Sequence, residues 1–122
     1  MEKKTQIQRN TERFRCRHYL ASYKNYHEYS QKEFFTILQE AIKITDGTIL
    51  NYIFNELQNG GMSALILLDN SHCCIHVYPE QKTMFMDLFT HSNCDLMKFH
   101  KIIIEFLKPT SVYSDISVYN ML

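Results

Sequence analysis

Along this chain the apolar positions follow two periods, and the changes of period divide it into elements. Residues 17–23, with Tyr19, Leu20, Ala21 and Tyr23, read as a first strand rich in aromatic and apolar side chains. Phe34, Phe35, Leu38, Ala41 and Ile42 then recur at helical spacing behind Ser30-Gln31-Lys32-Glu33. That tetrad is a capping box, in which the Ser30 hydroxyl and the Glu33 carboxylate satisfy free amides at a helix start. The helix is expected to reach about residue 44 and to stop near Gly47. Residues 48–57 read as a second strand, Asn59-Gly60-Gly61 as a turn, and residues 63–68 as a third strand. The third strand's unbroken apolar run predicts burial on both faces, or at the least a central position. Residues 73–78 and 83–90 are a fourth and a fifth strand, joined as a hairpin through Pro79-Glu80-Gln81-Lys82. Asp95 can cap a second helix whose apolar face holds Leu96, Phe99, Ile102, Ile103, Phe106 and Leu107, with Pro109 ending it. Residues 111–119 alternate through Val112, Ser114, Ile116 and Val118 as a last strand.

Strand, helix, four strands, helix, strand predicts an α+β fold: a two-layer sandwich with a largely antiparallel sheet and both helices on one face. The 122 residues suit a single domain, 1–122, with residues 1–17 as an N-terminal arm. Thirteen basic and 13 acidic residues give no net charge, so no nucleic-acid footprint is expected. The arm leans basic through Lys3, Lys4, Arg9, Arg13, Arg15 and Arg17, and reads as a solvated segment. No run approaches the ~18 apolar residues of a membrane span, so no membrane partner is expected. The first residues lack the apolar stretch of a secretory signal. With Cys16, Cys73, Cys74 and Cys94 this points to a reducing, cytoplasmic setting and not to a disulfide framework.

The groups able to do chemistry gather between residues 69 and 91. Ser71-His72-Cys73-Cys74-Ile75-His76-Val77-Tyr78-Pro79-Glu80 is followed by Asp87-Leu88-Phe89-Thr90-His91. Three histidines there, His72, His76 and His91, are of the side-chain type that can take up and release protons in catalysis. This stretch resembles the signature of the bacterial and archaeal S-adenosylmethionine decarboxylase proenzymes, Ser-His-x-x-Ile-His-x-x-Pro-Glu and then Asp-x-Phe-Thr-Cys, with no gap. One position departs, because the family cysteine is His91 here. Further upstream, His18-Tyr19-Leu20-Ala21 matches in outline a His-Leu-like pair at the start of the family's first strand, while Ser22 and Tyr26 stand where the family has an acid and a cysteine.

The resemblance implies self-cleavage between residues 70 and 71. The Ser71 hydroxyl would attack the preceding carbonyl and convert the amide to an ester. Elimination and hydrolysis would then leave a pyruvoyl group at position 71, a built-in ketone that condenses with an amino acid and serves as its electron sink. Asn70 replaces the usual glutamate, but the reaction uses its carbonyl and not its side chain. By the same resemblance Ser63 and His76 assist cleavage, Phe54 stacks the adenine ring, Glu80 binds the ribose hydroxyls and His91 stands at the proton donor's place. The implied activity is pyruvoyl-dependent decarboxylation of S-adenosylmethionine, supplying the aminopropyl donor for spermidine, in a homodimer whose active sites draw on two chains. Two alternatives stay open: a pyruvoyl-dependent arginine or ornithine decarboxylase, and a non-cleaving S-adenosylmethionine-binding paralogue. A metal reading of His72, Cys74 and His76 on one strand face, with His91 near, is set behind these, since the paired-cysteine spacing of structural zinc sites is missing. No metal is therefore expected.

Overall fold

The computed structural model describes residues 15–45, 47–91 and 94–120. Most of the expected N-terminal arm lies outside the described residues. Six strands form one antiparallel sheet: β1 (Arg15–Lys24), β2 (Ile49–Glu56), β3 (Met62–Leu68), β4 (Ser71–Tyr78), β5 (Thr83–Thr90) and β6 (Ser111–Asn120). Their spatial order is β2-β3-β4-β5-β1-β6, so the first strand in sequence lies between the fifth and the last. Two helices, α1 (Gln31–Ile44) and α2 (Leu96–Leu107), complete the α+β sandwich.

The helices form where the sequence caps them. Both bonds of the Ser30–Glu33 capping box are present at α1. The Asp95 carboxylate accepts the Lys98 amide at the start of α2. Buried Phe34, Leu38, Ala41 and Ile42 on α1 join Leu96, Phe99, Ile103 and Leu107 on α2 to cover one sheet face. From the sheet, Tyr19, Ala21, Tyr23, Ile66, Ile75, Met86 and Leu88 complete this core. Tyr19 and Tyr23 bond through their hydroxyls at 2.7 Å, and Tyr19 also contacts His100 Nδ1 on α2. Burial pushes the Tyr19 hydroxyl up to about 12 and lowers His100. Tyr19 therefore stays protonated beside a neutral imidazole.

Two sequence expectations change at the third and fourth strands. Burial of β3 on both faces does not occur: Ala64, Ile66 and Leu68 are buried, whereas Leu65 and Leu67 are 51% and 52% exposed. The helices cover one face only, so alternate leucines stand on the other. The inner position of β3 holds, with a strand on either side. The fourth strand also starts earlier than expected, at Ser71, because Ser71 pairs with Leu68 across a two-residue turn. Asn70 in that turn has φ 62°, a left-handed conformation that asparagine tolerates better than most side chains.

Candidate active site

Alternation along β4 sends Cys73, Ile75 and Val77 into the core and leaves His72, Cys74 and His76 on the uncovered face. On β3, Ser63 shares that face and lies directly opposite His76. Ser63 Oγ and His76 Nδ1 are 2.9 Å apart, a hydrogen bond within one sheet rung. Leu20, Leu65, Leu67, Tyr78, Phe85 and Tyr113 share the uncovered face with this pair as exposed apolar side chains.

Glu80 lies at the same end of the sheet, in the 3-10 turn Pro79–Gln81 after β4. The Asn59 side-chain amide donates to its Oε1 at 3.0 Å, tying the turn to the β2–β3 connection. Ser71 stands at the opposite end of β4, half-buried behind Asn70. The register His72–Phe89 brings the end of β5, and His91 just beyond it, to this same end. Five residues of strand separate Ser71 from His76, about 16 Å. The predicted site residues thus fall into two groups on one chain: Ser63, His76 and Glu80 at one end, Ser71 and His91 at the other.

Phe54 joins neither group. It pairs with Ala64, whose side chain is in the core, and so faces the helix side of edge strand β2. Its ring packs against Phe35 of α1 at 5.2 Å and Tyr52 at 5.3 Å, and the residue remains 38% exposed.

One grouping was missed in the sequence. Cys74 pairs across strands with Asp87, and Asp87 contacts His18 Nε2 on β1. Burial, and then the Asp87 carboxylate, push the Cys74 thiol up, so it stands protonated near neutral pH. The signal was Asp87 itself, the polar member of the outward series Phe85, Asp87, Phe89, which alternation places on the face of His72 and Cys74. None of the four cysteines is joined in a disulfide.

This architecture is that of a known carboxy-lyase: it matches the adenosylmethionine decarboxylase of Aquifex aeolicus with a TM-score of 0.72 at 20% identity, over 88% of this chain and 92% of that one. The family model for S-adenosylmethionine decarboxylase matches residues 17–117. The chain belongs to the S-adenosylmethionine decarboxylase family, and with it to the carboxy-lyase enzymes. Among curated relatives, the S-adenosylmethionine decarboxylase proenzyme of Clostridium botulinum (strain Loch Maree / Type A3) is 28% identical over 87 residues, 70% of this chain and 72% of the relative. That of a Hydrogenobaculum species is 34% identical over 79 residues, 62% of this chain and 58% of the relative. That of Archaeoglobus fulgidus is 26% identical over 77 residues, 62% of this chain and 69% of the relative.

Proposed function

We propose that the chain is a proenzyme that cleaves itself between Asn70 and Ser71 and then decarboxylates S-adenosylmethionine. The observation that carries this reading is the Ser63–His76 hydrogen bond, which joins the two residues that the family resemblance assigns to cleavage. A pyruvoyl group fits position 71, because its precursor serine directly follows a carbonyl held in a tight turn with a left-handed residue. Left-handed backbone at a residue with a side chain costs free energy, and opening the peptide releases it. The pyruvoyl group would supply the electron sink for loss of carbon dioxide.

The chain's own residues have separate tasks. Ser71 Oγ attacks the Asn70 carbonyl carbon, and the C–N bond breaks as the ester forms. The freed amine keeps its place at residue 71 until elimination and hydrolysis release it as ammonia. Ser63 and His76 move protons in those steps. The ~16 Å that separates them from Ser71 is too far for one chain to assemble the site. A second copy, laid with its uncovered face on the first, brings its Ser63, His76 and Glu80 to this chain's Ser71 and His91. The exposed apolar residues around Ser63 and His76 suit such a contact. Glu80 then accepts from the ribose hydroxyls, and His91 delivers a proton to the α-carbon. The product supplies aminopropyl groups for spermidine in the cytoplasm.

Intact-mass measurement of purified protein tests this directly. Two chains, residues 1–70 and 71–122, are expected, and Ser71→Ala gives one. A wild-type chain that stays whole on long incubation would sink the reading and favour the non-cleaving binder. His91→Ala should cleave normally yet lower release of carbon dioxide by about 10²–10⁴-fold, the worth of one general acid. Glu80→Gln should weaken S-adenosylmethionine binding. Phe54→Ala should leave that binding unchanged, since its ring packs on Phe35 on the helix side of the sheet, away from the site. Turnover of arginine or ornithine, with binding indifferent to the Glu80 change, would establish the other decarboxylase.

A further inference from the structure

Beside the Ser63–His76 pair, the uncovered face carries a second cluster that the proposed reaction does not use. His72, Cys74 and Asp87 each offer one ligand atom, and these atoms all lie within 4.8 Å of one another. They come from two adjacent strands, with Cys74 and Asp87 on one rung and His72 two residues before Cys74. Backbone hydrogen bonds thus fix their spacing independently of any ligand. Phe89 holds the histidines on either side: His72 stacks on it at 5.6 Å with planes 7° apart, and His18 meets its edge at 5.9 Å. His18 in turn contacts Asp87 Oδ1 through Nε2, a contact in which the second carboxylate oxygen takes no part.

We propose that His72, Cys74 and Asp87 bind a zinc-class divalent ion, with His18 orienting Asp87 from outside the coordination sphere. The donor set makes the choice. Imidazole and thiolate together suit borderline-soft d-block ions, and discriminate against calcium and magnesium, which take oxygen. Zinc bonds of about 2.0–2.3 Å put tetrahedral donors roughly 3.5 Å apart, within reach of small side-chain rotations from the present spacing. Cys74 gives its proton to solvent as the ion binds. A carboxylate that accepts from an outer histidine is the mirror of the usual metal–histidine–carboxylate chain, and holds its ligand in the same way.

Three protein donors leave a fourth position open. Cys74 lines two grooves at once, one of about 420 Å³ running to Asn51 and Leu67 and one of about 250 Å³ running to Ser22 and Tyr113. In the unpaired chain, water, or a small anionic or sulfur-bearing ligand in either groove, can reach an ion held there. The sequence reading weighed a metal at His72, Cys74 and His76, with His91 near, and set it aside. The structure instead gives His76 to Ser63 and puts the only His/Cys/Asp cluster among the described residues one rung away.

The test uses the full chain, reduced, stripped of metal with a chelator, and titrated with Co²⁺ and then Zn²⁺. One cobalt per chain is expected, with thiolate-to-cobalt charge transfer and the intense visible bands of tetrahedral cobalt, and zinc should displace it. Cys74→Ser should abolish the charge-transfer band. His72→Ala and Asp87→Asn should each weaken zinc binding at least tenfold. His18→Ala should weaken it about 10–100-fold while keeping the band, as an outer-shell partner does. Cys94→Ser should leave the band in place. The same titration on Ser71→Ala should again give one metal per chain, so the result does not depend on self-cleavage. A chain that takes up no stoichiometric metal, or a charge-transfer band that survives Cys74→Ser, overturns the proposal.

Discussion

The two faces of β4 belong to one eight-residue strand and do different work. Toward the helices, Cys73 and Ile75 are fully buried, and burial pushes the Cys73 thiol far up, so it is inert. Toward the uncovered face, His72, Cys74 and His76 keep contact with solvent and with polar partners on β3 and β5. A period of two residues is all that separates stability from chemistry here. The comparison teaches that adjacent residues in this motif should fail in different ways when changed.

The largest effect is expected on the open side. Ser63→Ala or His76→Ala should slow the proposed self-cleavage by about 10²–10⁴-fold. Their unfolding free energies should stay within about 0.5 kcal/mol of wild type, as for exposed substitutions. Equal losses of both, by intact mass and by chemical denaturation, would erase the distinction between the faces. Next comes the inner side. Ile75→Ala removes a fully buried side chain between the sheet and its helices, and should cost about 2–5 kcal/mol. Its folded fraction should still cleave at the wild-type rate.

A smaller, concentration-dependent effect is expected for Leu65→Asp combined with Leu67→Asp. Both leucines are half-exposed, so the monomer should keep its stability while sedimentation shows loss of the proposed dimer and the proposed cleavage slows. A double variant that stays dimeric would move the contact to another surface. The smallest effect is a matter of pH on the helix side. Burial lowers His100, so the unfolded chain takes up its proton more readily than the folded one. The stability from the neutral Tyr19–His100 contact is therefore complete above the ordinary histidine value of about 6.5, and is lost as pH falls below it. His100→Gln should flatten that part of the stability curve.

Much of this arrangement was legible in the chain because it rests on local rules. The capping box at Ser30, the Asp95 cap and the Pro79–Gln81 link between β4 and β5 all depend on residues within a few positions of one another. The Ser63–His76 pair was legible only through the motif's resemblance, since 13 residues and a hairpin separate the two. What stayed hidden was long-range register. His18 and Asp87 are 69 residues apart, and meet because β1 inserts between β5 and β6. Periodicity says that a strand has two faces, but not which neighbour it will have. The side taken by Phe54 has the same origin: edge strand β2 follows the register of β3, which turns Phe54 toward Phe35.

The order of strands has a consequence for a chain severed after Asn70. The N-terminal piece would hold β1, β2, β3 and α1, and the C-terminal piece β4, β5, α2 and β6. Read across the sheet, the pieces alternate: two strands of the first, two of the second, then one of each. β1 would be clasped on both edges by strands of the other piece, and β4 would remain paired to β3. The fragments are thus interleaved like clasped fingers and cannot part without dismantling the common core. Cutting the backbone there would add two chain ends at a surface turn and leave a single cooperative body, two bands on a denaturing gel that travel as one species in native solution.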